Sequence, residues 1–382
     1  MQHRTRAVNR DDVKMTTRIP KTMQAVVLTG HGGLDKLVFH DDWPIPIPEG
    51  DDVLIRVGAC GLNNTDVNTR SAWYSKGNME ATTGDALAGA DGEDGTWGGT
   101  SIRFPRIQGA DVAGIVVAVG SQADVTLIGQ RVLVDGWLRD WGDPMNLDKT
   151  SYFGSECDGG YAEYTKVSQR QVHPIDCALS DAELATFACS YVTAENMLNR
   201  AQVAAGDTVL VTGASGGVGS ALVQLANRRD AVVVALCGAD KAKAVNDLGP
   251  AAVLERNVTD IRSRLKAAIG RDTVDVVADV VGGARWPQLI DAIARGGRYT
   301  CAGAIAGPVV EFDLRTFYLR DLILTGATVA PPGVFEDLVR YIEQGEIRPL
   351  LAATFSLSQF HAAQQAFIDK HHVGNIVVCP GT

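Results

Sequence analysis

From Met23 onward, short apolar runs alternate with turn-forming residues. Residues 24–28 (QAVVL), 52–57 (DVLIRV), 111–120 (DVAGIVVAVG) and 131–134 (RVLV) are separated by Pro44, Pro46, Pro48, Gly50 and Gly129 among others. Runs of this length with Gly and Pro between them predict strands and tight turns, and several in succession predict a compact β-barrel-like unit. Gly114, inside the third run, predicts a bend. After about residue 178 the rhythm changes. Residues 181–200 predict helices, and apolar strands over 207–212, 231–236, 251–254, 274–280, 298–301 and 322–329 are interleaved with helices such as 219–229 and 240–248. Strands that are apolar throughout, between helices, predict a parallel sheet covered on both faces. The segment 334–382 returns to helix and short strand, ending on 375–378.

The expected organisation is therefore an N-terminal tail over 1–22, a β-rich unit from 23–177 and 331–382, and an α/β unit over 178–330. A chain of 382 residues is long enough for two such cores. Two stretches interrupt the β-rich unit. Residues 75–100 are rich in Gly, Ala, Asp and Thr, whereas 136–160 contain Trp137, Trp141, Tyr152 and Phe153. Loops this long are uncommon in compact domains, and the aromatic residues of the second predict a packed loop.

Charge and cysteine content narrow the partners. A net charge of −10 argues against nucleic acid and anionic membrane surfaces and for a small-molecule substrate. No apolar run approaches the roughly 20 residues that a membrane helix needs. The seven cysteines are scattered, odd in number and without a CxxC, which predicts free thiols in a reducing cytoplasm. Residues 1–22 are basic but lack the apolar segment of a secretory signal, so a flexible tail is expected.

The strongest chemical signal is Gly213-Ala214-Ser215-Gly216-Gly217-Val218-Gly219, which directly follows a buried strand and opens a helix. A dinucleotide needs small residues there, because the turn is tight, the backbone approaches the pyrophosphate and the helix lies close to its strand. The N–H groups at the helix start then meet the phosphate charge. Ala214, Ser215, Gly216, Gly217, Val218 and Gly219 are the expected cofactor-binding residues, with Ala214 where a strict G-x-G-x-x-G has its first glycine. The next strand runs into Cys237-Gly238-Ala239, with no acid before Asp240, which is expected to cap the following helix. Lys241 and Arg256 lie close by in sequence terms, and a 2′-phosphate wants cations and no carboxylate. NADPH is the expected cofactor in preference to NADH.

Four motifs occur in order: Gly61-Leu62-Asn63-Asn64-Thr65-Asp66, Pro105–Gly114 (PRIQGADVAG), Gly159-Gly160-Tyr161-Ala162-Glu163-Tyr164 and Gly213–Gly219. With them, the chain from about residue 23 resembles the medium-chain dehydrogenase/reductase superfamily. The resemblance implies a GroES-like β-barrel catalytic domain, a Rossmann doubly wound parallel-sheet domain, and an active site in the cleft between them. It aligns the superfamily's catalytic zinc ligands with Asn63, Ala110 and Cys189, with Asp111 in place of a Glu, and a lone Cys157 in the structural-zinc lobe. One thiolate is too few for catalytic zinc, which needs three protein ligands, so no metal is expected.

The pattern is closer to the zinc-independent quinone oxidoreductase branch, whose active-site asparagine and pocket tyrosine align with Asn63 and Tyr74. The resemblance thus implies an NADPH-dependent reductase that transfers hydride to a quinone or an α,β-unsaturated carbonyl, with Tyr74 and Asn63 as the catalytic hydrogen-bond donors. The alternatives are an oxidoreductase acting on an alcohol/aldehyde pair, a reductase of enoyl thioesters, and a cofactor-binding protein with little turnover. The apolar strand 322–329, at the expected sheet edge, predicts a homodimer.

Overall fold

A computed structural model describes residues 19–75, 77–79, 81–82 and 102–381. The expectations for residues 1–18 and for most of the 75–100 segment lie outside the described residues.

The β-rich unit begins with β1 (Thr22–Leu28), which pairs antiparallel with β2 (Leu37–Pro44). Then come β3 (Asp52–Gly61) and α1 (Asn64–Arg70), followed by β4 (Arg106–Ile107), which pairs with β1, and β5 (Asp111–Val119). β5 lies antiparallel to β3, with Cys60 opposite Val112 and Gly61 opposite Asp111. A Cβ on Gly114 would sit 2.3 Å from the Arg56 carbonyl oxygen, so this glycine permits close approach of β3 and β5. The register of the pair shifts between Val57 and Ala59, opposite Gly114 and Ala113, and again between Leu54 and Ile55. β6 (Arg131–Val134) continues the sheet.

The 136–160 segment is a packed hairpin. β7 (Trp137–Leu138) pairs with β8 (Ser151–Tyr152), the Trp137 and Tyr152 rings lie 4.7 Å apart, and Phe153 is fully buried. Its base is pinned by Arg139, whose guanidinium donates to Asp135 Oδ2 (3.0 Å), to the Trp137 carbonyl (2.9 Å) and to the Ala330 carbonyl (2.5 Å). β9 (Tyr164–Ser168) pairs with β3, and β10 (Val172–Pro174) with β6.

The predicted helical stretch 181–200 divides into α2 (Asp181–Leu184), closed by a Ser180/Glu183 capping box, and α3 (Ala188–Arg200). Then come β11 (Thr208–Val211), α4 (Gly217–Arg228), β12 (Val232–Cys237), α5 (Ala242–Asn246), β13 (Ala252–Glu255), α6 (Ile261–Ile269) and β14 (Val274–Asp279). They are followed by α7 (Trp286–Asp291), β15 (Ile293–Cys301), α8 (Leu314–Leu319) and β16 (Ile323–Gly326). The sheet is parallel, in the order β13-β12-β11-β14-β15-β16. That is a doubly wound Rossmann arrangement, with its order reversing beside β11. Alternation along β11 explains its apolar run: Val209 and Val211 enter one core, and Leu210 enters a second on the opposite face.

Two predicted strands change length. β15 starts at Ile293 instead of Arg298, with Gly296 in the left-handed region and a register shift opposite Val274 and Val276. β16 spans only Ile323–Gly326 of the expected 322–329, because Leu322, Ala327 and Val329 are buried by packing beyond the paired residues. Asp240 does not cap a helix: it lies inside a short 3-10 turn whose N-cap is Gly238.

The C-terminal segment crosses back. α9 (Val334–Glu343) packs on α3, and β17 (Leu351–Phe355), α10 (Phe360–Asp369) and β18 (Asn375–Val378) follow. β18 pairs with β3 at Gly61 and Cys60, so the last strand completes the sheet that carries the first motif. Among the described residues, no helix is long and apolar enough to cross a membrane.

Arg139 and Asp135 are both buried, and burial pushes the Asp135 carboxyl above its usual range despite the neighbouring guanidinium. Removing one partner of a buried pair strands the other charge. Arg139→Met is expected to destabilise the protein by about 3–5 kcal/mol, and Asp135→Asn in the same chain to recover part of the loss. Urea unfolding of the two variants measures both.

Candidate active site between the two sheets

Asn63 ends the approach from β3 and is the N-cap of α1, in extended conformation. Its backbone N–H donates to Asp66 Oδ2 (2.8 Å), and its side-chain Nδ2 donates to Asp111 Oδ2 (2.9 Å). Asp111 opens β5, and its other oxygen accepts the Cys189 N–H (2.7 Å) at the start of α3. The N-cap residue of α3, Phe187, offers no side-chain cap, so Asp111 supplies the negative charge that a helix N-terminus favours. Asp66 also accepts the Tyr161 hydroxyl (2.7 Å).

Both carboxylates are buried, and burial raises their pKa values, to about 6 for Asp66 and about 7 for Asp111. Hydrogen bonds, chiefly from Tyr161 to Asp66 and from Asn63 to Asp111, oppose that rise.

Tyr74 is partly exposed. Its hydroxyl lies near the side chains of Thr65 and Asn68. Asn68 Oδ1 is buried with no partner. Burial raises the Tyr74 pKa, which keeps the proton in place at neutral pH.

Cys189, also partly exposed, lies within electrostatic reach of Tyr74. Its sulfur meets the side chains of Tyr152 and Thr193. Burial, followed by the charge of Asp111, keeps the thiol protonated. Asn63 and Cys189, two of the positions aligned with zinc ligands, thus converge on one carboxylate, whereas the third, Ala110, offers only a buried methyl group. This donor set does not fit a catalytic zinc. Among the described residues, no group of three or more His, Cys, Asp and Glu side chains could hold a metal ion.

The glycine-rich turn lies at the carboxyl end of β11. Gly213 is left-handed (φ +58°), and a Cβ on Gly219 would lie 2.1 Å from the Gly213 carbonyl oxygen, so the helix and turn touch with no room for a side chain. Gly216 is the N-cap of α4, whose first turn of N–H groups begins at Gly217, Val218 and Gly219. Ala214 serves the turn differently: it is fully buried and its N–H donates to the Leu236 carbonyl (3.0 Å).

Loop 370–375 laces this turn to the catalytic unit. The Gly374 N–H donates to the Ser215 carbonyl (2.9 Å), and Asn375 Nδ2 donates to Ser190 Oγ (3.0 Å). The Lys241 ammonium donates to the Lys370 carbonyl, and Lys370 Nζ donates to Asn64 Oδ1 (2.8 Å). Lys241 and Arg256 are brought together beside Cys237: burial and then, after the opposing charge of Asp240, the Arg256 charge act on the Lys241 pKa, with a net lowering. Asp240 folds back over Gly238, where a Cβ would lie 2.6 Å from its Oδ1.

Three contributors were not assigned roles from the sequence. Asp111 stands out only through its alignment with a glutamate. Tyr152 sits in a segment without a motif, and Gly374-Asn375 follows a histidine pair that resembles ordinary surface.

A barrel and a Rossmann sheet, joined around a glycine-rich turn and a set of polar donors, define a two-domain nicotinamide-dependent oxidoreductase. Family profiles agree: the alcohol dehydrogenase GroES-like domain matches residues 49–177, and the zinc-binding dehydrogenase domain matches residues 217–344. A quinone oxidoreductase from Lama guanicoe is 26% identical over 353 residues, covering 90% of this chain and 93% of its own length. The chloroplastic NADPH-dependent alkenal/one oxidoreductase of Arabidopsis thaliana is 27% identical over 387 residues, covering 99% and 84%. A solved structure from Sinorhizobium meliloti 1021, provisionally assigned as an alcohol dehydrogenase, is 48% identical with a TM-score of 0.85, covering 95% of this chain and 98% of that one. The chain belongs to the medium-chain dehydrogenase/reductase superfamily, in its quinone oxidoreductase-like branch.

The carboxylate pair makes stability depend on pH. Unfolded aspartates titrate near pH 3.9, and both folded values are raised, to about 6 and about 7. The folded state then holds more protons between those limits, so this contribution is complete below about pH 4 and is lost as pH rises through about 7. The melting-temperature advantage of wild type over Asp111→Asn is expected to shrink from pH 5 to pH 7.5. A difference that stays constant across that range would contradict the burial-driven shift.

Proposed function

We propose that this protein is a zinc-independent, NADPH-dependent reductase of quinones or α,β-unsaturated carbonyls. The observation that carries this reading is the replacement of a metal-ligand set by hydrogen-bonding groups: Asn63 clamped to Asp111, with Ala110 in a ligand position. The names of the Lama guanicoe and Arabidopsis thaliana relatives support it.

Bound in the cleft, the reduced dinucleotide supplies a hydride. Negative charge then collects on the substrate oxygen, and preorganised donors in a dry site stabilise it, typically by ~2.7–4 kcal/mol each. Tyr74 donates its hydroxyl proton to that oxygen. Asn63 has two amide hydrogens, one engaged by Asp111, and the second serves the same oxygen. Lys241 and Arg256 receive the 2′-phosphate, and the first turn of α4 receives the pyrophosphate. Asp240, folded over Gly238, favours a second reading, NADH, through its capacity to accept from a ribose 2′-hydroxyl. The provisional alcohol dehydrogenase assignment of the Sinorhizobium meliloti structure favours an alcohol/aldehyde pair as the alternative substrate.

The 340 nm absorbance of NADPH and NADH, followed across quinones, enones, enoyl thioesters and aldehydes, separates these readings. Preferred oxidation of NADPH by quinones or enones is expected, and turnover confined to alcohols and aldehydes would reject the proposal. Tyr74→Phe is expected to lower kcat by about 10²-fold with little effect on the KM for NADPH. Arg256→Ala is expected to lower kcat/KM for NADPH by about 10–100-fold and leave NADH unaffected, as the loss of a charge-assisted contact predicts.

We also propose a homodimer through β16, the outer strand of the parallel sheet. Ile323 on that strand is 53% exposed, and Leu314, Tyr318 and Leu319 of the adjoining α8 are exposed as well. An apolar edge with unpaired backbone groups joins readily to a second copy of itself. Light scattering is expected to give twice the 40.6 kDa chain mass, and Ile323→Lys to give the monomer. A monomeric wild type would reject the dimer.

A further inference from the structure

Ligands of a doubly wound sheet sit outside the carboxyl ends of its strands, where the strand order reverses. The turn after β11 receives the pyrophosphate in the reading above, and β12, on one side of β11, leads to Lys241 and Arg256. The nicotinamide half then extends to the other side, over the ends of β14 and β15. The loops that follow those two strands are packed into one floor. The Ala306 N–H donates to the Val281 carbonyl (2.8 Å) and the Gly283 N–H to the Gly307 carbonyl (3.1 Å). A Cβ on Gly283 would lie 2.6 Å from the Ala306 carbonyl oxygen, so only glycine lets the two loops come so close. The floor abuts the pyrophosphate turn, because a Cβ on Gly213 would lie 3.1 Å from Val280 Cγ2 and 3.2 Å from Val281 Cγ2.

Thr82, in the 75–100 segment of the barrel unit, reaches this floor. Its backbone N–H donates to the carbonyl of Ile305 (2.9 Å), the neighbour of Ala306. The residue is only 4% exposed, and its hydroxyl oxygen is buried with no hydrogen-bond partner. A buried hydroxyl is costly without a partner, and here the chain supplies none. Thr82 is thus fixed by its peptide at the end of the cleft away from Lys241 and Arg256, with its side-chain polar group unspent.

A hydroxyl gives one hydrogen and accepts on its lone pairs. The carboxamide of a nicotinamide ring matches both capacities, with a carbonyl to accept and an N–H to donate. The pyrophosphate offers acceptors alone, and the substrate oxygen is served by Tyr74 and Asn63 in the mechanism above. Resting on the dinucleotide reading, we propose that Thr82 binds the nicotinamide carboxamide through its hydroxyl, held in place by the bond from its N–H to Ile305. A segment without a motif in the barrel unit thereby supplies part of the cofactor site and holds the ring against the Rossmann floor.

Thr82→Val removes the hydroxyl and keeps the shape. Its Kd for NADPH, measured by titration of cofactor fluorescence, is expected to rise about five-fold, the size of one neutral hydrogen bond. The Kd for 2′-phospho-ADP-ribose, which keeps the phosphates and both riboses but lacks the nicotinamide ring, is expected to stay at the wild-type value. Thr82→Ser is expected to restore NADPH binding. An unchanged Kd for NADPH in Thr82→Val would overturn the proposal. So would an equal weakening of NADPH and 2′-phospho-ADP-ribose, which is the result a merely structural hydroxyl gives. If NADH binds wild type more tightly than NADPH, the same comparison is made with NADH and ADP-ribose. Wild type that binds neither dinucleotide would reject the cofactor reading itself, a failure seen before any variant is made and so distinct from failure of the Thr82 contact.

Discussion

The buried carboxylate of Asp111 accepts one hydrogen bond from the Asn63 side chain and another from the Cys189 N–H, and so fastens α1, β5 and the start of α3 to one point. Each partner needs it. Asn63 owes its orientation to that bond, and α3 lacks a side-chain cap of its own. A buried carboxylate is costly unless its lone pairs are engaged, and here both oxygens are. The rise of the Asp111 pKa to about 7 is the residual cost of burial that those bonds do not offset.

Around this clamp the site has the geometry of a metal-binding cleft with a different chemistry. Positions that align with zinc ligands hold an amide, a methyl group and a protonated thiol, and Asp111 joins the first and last of these residues through the Asn63 amide and the Cys189 backbone N–H. In the reduction proposed above, stabilisation of a developing oxyanion falls to the Asn63 amide and the Tyr74 hydroxyl. Preorganisation of this kind requires rigid support, supplied by the capping bonds of α1 and the packed aromatic hairpin over 136–160.

The dinucleotide half depends on contact distance in place of hydrogen bonding. At Gly219 a Cβ would overlap the Gly213 carbonyl, so α4 lies against its turn at a separation only glycine allows. Loop 370–375 then reaches across from the barrel, with Gly374 bonded to Ser215 and Lys370 linking Lys241 to Asn64. These contacts place the glycine-rich turn and the Asn63 clamp on one continuous framework, although residues 64 and 370 come from opposite ends of the chain.

The apolar rhythm of the sequence determined both architectures, because strand and helix periodicities follow directly from which faces are buried, as Val209 and Leu210 show by entering opposite cores. The spacing of small residues in 213–219 likewise determined the turn, since the steric demand is local. Strand ends were less legible. Leu322 and Val329 look like strand residues but are buried by side-chain packing beyond β16, and periodicity does not distinguish the two causes. Tyr74 and Asn63 could be named from their motif, but the orientation of the Asn63 amide could not, because it depends on Asp111 as a partner. Tertiary structure alone decided that Asp111 would join Asn63 to Cys189. Those contacts join residues far apart in sequence, and a hydrogen bond is selected by distance and direction in space, which residue order does not encode locally.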